Sequence, residues 1–187
     1  MRQEETLLPD TRRLAVTLQT YMLPGLASLL HLEGEGISRL AKQYMEELEA
    51  GHEVRQVVWL IQNGIAKVLV THRMALELEE DVHGAVNEYP KDQWLEMKER
   101  MDGIIARVCQ NEKELIHMAE EISNRGHKVA GLEELKKKHA ELIHQLNWDY
   151  TSEAFRKIIQ QAEEDAKAGH VLEDLCAQSA RADIKHS

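Results

Sequence analysis

Aromatic residues are scarce in this chain: they make up 4% of 187 residues, and Phe occurs once. A core must then be built from Leu, Ile, Val, Met and Ala, a palette that favours helix packed on helix over a β-sandwich. Ten Gly and three Pro are too few for many short strands joined by tight turns, or for collagen-like or linker-like material. Long hydrophobic runs are missing as well. The densest, Val57 to Ile61, falls far short of the roughly 20 residues that cross a bilayer. The two cysteines, Cys109 and Cys176, fit neither a metal spacing nor a disulfide framework, so free thiols in a reducing compartment are expected. Basic charge is in deficit, with 23 Lys+Arg against 33 Asp+Glu and a net charge of -10. A phosphate-binding surface needs clustered cations. The longest basic run, Lys136-Lys137-Lys138, lies among Glu133, Glu134 and Glu141 and reads as a solvated helix face. The acidic start, Met1-Arg2-Gln3-Glu4-Glu5, is unlike a secretory signal. The expectation is a soluble cytoplasmic protein with no membrane insertion and no nucleic-acid partner.

What is present is helical periodicity almost throughout, broken at Pro9, Pro24-Gly25, Gly34 to Gly36, Gly51, Tyr89-Pro90, Gly126 to Gly131 and Gly169. Asp10 or Thr11 can cap a first helix that runs to Met22, where Pro24 interrupts. Pro24 to Leu32 is short and nearly all apolar, and Gly34-Glu35-Gly36 reads as a helix-to-helix turn. Ile37, Leu40, Ala41, Tyr44 and Leu48 then form one stripe on a helix that stops at Gly51. Three longer helices are expected over about 53–88, 91–125 and 130–168. In the first, Val54, Val57, Ile61, Gly64, Val68, Thr71, Ala75, Leu78 and Val82 alternate steps of three and four, and Val58, Ile65, Leu69 and Leu76 widen the stripe. Pro90 ends that helix, and Asp92 sits where a carboxylate favours the N–H groups of the next.

In the second long helix Trp94, Met97, Met101, Ile104, Val108, Asn111, Leu115, Met118 and Ile122 repeat in the same way. Asn111 interrupts the seam, either as a register-fixing polar residue or as an Asn at its exposed edge. Leu132, Leu135, His139, Leu142 and Leu146 open the third. Its stripe slips near Asp149, so one helix and a helix broken at Asn147 to Ser152 are both open. Short connections force the long helices antiparallel and place Arg107 roughly opposite Asp149. The fold class expected is all-α: a single elongated antiparallel helical bundle over 1–187. Short N-terminal helices occupy 1–51, the long coiled-coil-like helices 52–168, and a short helix with a frayed tail 169–187.

Chemistry-bearing patterns are few. Glu114-Leu115-Ile116-His117 and Glu141-Leu142-Ile143-His144 are two Glu-x-x-His motifs, the spacing that builds the di-iron site of ferritin-like bundles. The seam positions turn His117 and His144 to the outer faces, so exposed pairing residues are the alternative. His139, His144 and Asp149 resemble a fragment of the hemerythrin-like His-x-x-x-x-Asp element, without its companion His-x-x-x-His. His139 sits on the seam, as a satisfied core histidine or as a pH-sensitive packing switch. Neither cysteine has a catalytic partner that the sequence can assign, and no phosphate loop, dinucleotide fingerprint or nucleophile elbow occurs. Arg181 and His186 have the Arg-x4-His spacing of HEPN-type helical ribonucleases, with Ala182 where a polar residue is usual.

The run from Gly131 to Leu142, followed by Ala162 and Ala168-Gly169-His170, resembles the middle helix of a spectrin-type repeat, although no Trp-bearing third helix follows. Ala162-Glu163-Glu164-Asp165-Ala166-Lys167-Ala168-Gly169-His170-Val171 is similar to the toxin-binding tail of small bacterial antitoxins. Both resemblances imply helices presented to protein partners. The sequence assigns no catalytic, cofactor-binding or metal-ligating residue and no cofactor. The function expected is a non-enzymatic interaction or scaffold module that binds a protein partner or itself, because the stripes over 54–82 and 94–122 are wider than a hairpin needs. The alternatives are a metal-dependent bundle using Glu114, His117, Glu141 and His144, and an antitoxin-like binder using the C-terminal segment.

Overall fold

A computed structural model describes residues 17–51 and 55–146, together with Lys157, Gln160 and Glu164. A π-helical turn, Thr17–Met22, leads directly into α1 (Leu23–Glu49). It is followed by α2 (Arg55–Gly84), α3 (Lys91–Asn124) and α4 (Leu132–Leu146). The described residues form an all-α bundle. The connections over 50–54, 85–90 and 125–131 are too short to return along a helix, so each helix runs antiparallel to the one before it. The core agrees with this, with Tyr44 and Val57 in one apolar cluster and Leu23 and Val82 in the other. Helix α3 packs against all three others, and α2 against α1, α3 and α4.

The N-terminal third differs from the sequence expectation. Pro24 and the Gly34 to Gly36 segment do not divide it; 27 residues form one continuous helix. Pro24 lies in the first turn, where a missing N–H is tolerated. Gly34 is buried where α1 presses on α3, and a Cβ there would stand 2.8 Å from Arg107 Nη2 and 2.9 Å from Asn111 Oδ1. That glycine marks a close approach between helices, not a turn. The expected stop at Gly51 is found: its φ is 68°, and its N–H donates to the Leu48 carbonyl at 3.1 Å.

Helix α2 ends at Gly84, a few residues before the expected 88, and the chain turns through Ala85 and Tyr89 to Pro90, the residue preceding α3. The Trp94 indole N–H donates to the Val82 carbonyl at 2.9 Å and ties the start of α3 to the end of α2. After Gly126 (φ 94°) the connection is fastened by Ala130 N–H donating to Gln62 Oε1 at 2.9 Å, and Val129 is buried. A side chain at Gly131 would be strained for two reasons: the left-handed backbone at φ 85°, and Ile65 Cγ2 at 3.0 Å from where a Cβ would sit. Beyond Leu146 the single or broken helix, the Asp149 partner of Arg107, Cys176, Arg181, His186 and the antitoxin-like tail lie outside the described residues.

The seams fall as their periodicity indicates. Of the α3 series, Met97 through Ile122 are buried and Trp94 is half-buried; on α2, Val57, Ile61, Val68, Thr71, Ala75, Leu78 and Val82 are buried. The apolar core divides into two clusters. One joins Leu23, Leu30, Val82, Met101 and Leu142; the other joins Ile37, Tyr44, Ile61, Leu115 and Leu135. Among the described residues no helix is long and apolar enough to cross a membrane.

Candidate functional site

Between the two apolar clusters lies a layer of polar side chains, four buried and two half-buried, to which all four helices contribute. Helix α1 supplies Glu33, α2 supplies Thr71 and His72, α3 supplies Asn111 and Glu112, and α4 supplies His139. Asn111, 1% exposed, donates from Nδ2 to the Leu30 carbonyl at 2.9 Å and to Glu33 Oε1 at 3.1 Å. The other carboxylate oxygen of Glu33 accepts from Thr71 Oγ1 at 2.9 Å. Glu112 is fully buried and bridges two imidazoles: His72 Nδ1 meets its Oε1, and His139 Nδ1 its Oε2 at 3.0 Å. Each ring thus turns its Nδ1 to a different oxygen of the one carboxyl group, and α2 and α4 are tied to α3 through Glu112.

A buried polar group is tolerated only when its hydrogen bonds are made. Sliding one helix by a turn would strand these groups in the apolar clusters above and below, so the layer fixes register. Burial raises the Glu33 carboxyl above its ordinary value; the bonds from Asn111 and Thr71 oppose this, and the Glu112 charge adds to it.

The second feature is a groove of about 1050 Å³ between α1 and α2. Its walls include Leu29, Leu32, Trp59, Val70 and Met74, which are 41 to 60% exposed. Gly36 leaves its place on the floor empty, with nothing within 4 Å of a Cβ there, and Glu33 and Thr71 carry the polar layer to the floor. A smaller cleft between α2 and α4, about 330 Å³, includes His72, Lys138 and Glu141.

The residues singled out in the sequence separate into those inside the bundle and those outside. Asn111 and His139 belong to the polar layer: the seam Asn is buried, and the seam His is half-buried with Glu112 as its partner. His117, Glu141 and His144 are exposed. Glu114 is half-buried and accepts from Gln110 Nε2 at 2.7 Å, and Glu141 Oε2 lies 3.8 Å from Lys138 Nζ. The two Glu-x-x-His motifs therefore do not converge, and among the described residues no group of three or more His, Cys, Asp or Glu is arranged to hold a metal ion. Lys136 pairs with Glu120 at 3.0 Å and Glu133 at 3.9 Å, as a solvated helix face does. Cys109 is buried in the core.

Sequence reasoning missed Glu33, His72 and Glu112. The signal was present in part: Thr71-His72 and Asn111-Glu112 are adjacent polar pairs, each with one member on the seam and the other beside it. A single polar residue can sit at a seam edge, but a pair interrupts the full width of a stripe. Glu33 carried no such signal, because the glycines around it suggested a turn. No protein-family model, curated protein or solved structure matches this chain.

Proposed function

We propose that the protein is a non-enzymatic interaction module that presents a helical groove to a protein partner. The observation that supports this reading is the exposed apolar groove between α1 and α2. Most of the stripe width that the sequence shows is absorbed within the chain. The face of α3 is covered by α1, α2 and α4, and Pro24, Leu26, Ala27 and Leu30 are buried. Of the large apolar side chains that stay exposed, Leu29, Leu32, Trp59, Val70 and Met74 line one concavity. Contiguous apolar surface of this kind is characteristic of helix-in-groove recognition. The polar layer beside it serves register and stiffness, since its members satisfy one another.

The test combines light scattering with binding of an apolar-surface dye. A dye signal that falls in Leu32→Glu and Val70→Glu variants, with helicity and melting unchanged, is the expected result. A monodisperse protein with no dye binding would refute the reading.

A further inference from the structure

We infer that the groove between α1 and α2 takes an amphipathic helix of another protein whose apolar stripe is flanked by Asp or Glu. This rests on the interaction reading above and adds the chemistry of the occupant. Its support is the charge around the apolar walls. The chain as a whole carries a net charge of -10, so an average patch of its surface is acidic. The groove departs from that average. Arg39 stands on the α1 wall and Lys67 on the α2 wall, both exposed, and among the described residues neither is held in an ion pair. The one carboxylate in the lining, Glu33, has its oxygens bonded to Thr71 and to the buried Asn111, and Lys67 is the cation that acts on it. Two exposed cations against one internally bonded carboxylate therefore line an apolar trough in an acidic protein.

The dimensions suit a helix. From Leu29 to Gln43 the α1 wall rises about 21 Å at 1.5 Å per residue, enough for four turns of a docked helix. Apolar anchors at i, i+3, i+4, i+7 and i+11 would meet the exposed Leu, Val, Met and Trp side chains. The open space at Gly36 lets one anchor approach the α1 backbone. The flanks of that helix then run beside Arg39 and Lys67, where carboxylates complete the pairs and cations are repelled. A second copy of this chain is a poorer occupant. A two-fold contact would bring the same Arg39 and Lys67 from both sides into one interface.

The test is selection of displayed helical peptides on the full-length protein, with the apolar stripe fixed and the flanking positions randomised. Bound peptides are expected to be enriched in Asp and Glu at the flanks, and to shift the emission of Trp59, which is 60% exposed, to shorter wavelength. That shift should vanish in Trp59→Phe. An Arg39→Glu/Lys67→Glu variant should weaken acidic-flanked peptides by on the order of tenfold at low salt and favour Lys-flanked ones. Enrichment without charge bias, or preferences unmoved by the charge reversal, would overturn the inference and leave the interaction reading standing. Failure to enrich any peptide, or peptides that bind the Leu32→Asp variant equally well, would overturn both. A concentration-dependent dimer in sedimentation that Leu32→Asp abolishes would replace the foreign helix with a second copy.

Discussion

Replacing Gly34 with Ala tests the close approach of α1 to α3, and Gly36 in the same helix supplies the control. In a helix interior Ala is favoured over Gly by about 1 kcal/mol, and at Gly36 nothing lies within 4 Å to oppose a Cβ. Gly36→Ala is therefore expected to raise stability by up to about 1 kcal/mol. At Gly34 the same methyl would meet Asn111 Oδ1 at 2.9 Å and Arg107 Nη2 at 2.8 Å. The Arg107 side chain is long and can swing aside. Asn111 is short and buried, and moving it loosens its bonds to the Leu30 carbonyl and to Glu33. A hydrogen bond to a charged group contributes about 1.5–3 kcal/mol, and one to a neutral acceptor about 1 kcal/mol. Partial loss of both outweighs the propensity gain, so Gly34→Ala should destabilise by about 1–2 kcal/mol. Urea unfolding measures the pair, with a separation of about 2–3 kcal/mol between the variants. An Asn111→Ala background should shrink the Gly34 penalty, because the obstructing group is gone. Equal shifts in the two single variants would refute the close approach.

The carboxylates of the polar layer make two further predictions. Glu33 holds its proton more tightly in the folded chain than in the unfolded one, chiefly through burial. The folded state thus binds more protons between the ordinary carboxylate value and the raised one, and stability falls as pH rises through that window. Glu33→Gln removes this contribution, so its stability relative to the wild type should rise with pH across the window; a difference independent of pH in a urea series would contradict the assignment. Glu79 and Asp102, half-buried and also raised by burial, act with the same sign and remain in both proteins. Glu112→Ala leaves the inward Nδ1 atoms of His72 and His139 without their shared partner, at a cost of about 3 kcal/mol or more. His139→Ala, at the more exposed end of the clamp, should cost less. Chemical denaturation ranks the two, and the reverse order would exclude Glu112 as the shared partner.

Periodicity alone was sufficient for the class of fold and for most of the core. A helix that buries one side needs apolar residues at steps of three and four, and the α2 and α3 stripes carry that pattern without a break. Backbone punctuation was legible where its effect is local: Pro90 cannot continue a helix, and Gly51 accepts positive φ. The outward direction of His117 and His144 also followed from the seam, since direction around a helix is fixed by spacing.

The tertiary structure decided what depends on a neighbour. Gly34 and Gly36 are identical in sequence, yet one lies against Asn111 while the other faces open space, and only the approach of α3 tells them apart. His72, Glu112 and Glu33 read as solvated residues until four helices bring them together, because the partners that make burial tolerable come from 27 to 78 positions away, on other helices. Surplus apolar width was visible in the stripes, but which part stays uncovered follows from where α1 and α4 pack. Local chemistry and spacing are properties of the chain, whereas satisfaction of a buried charge and exposure of an apolar wall are properties of its assembled neighbours.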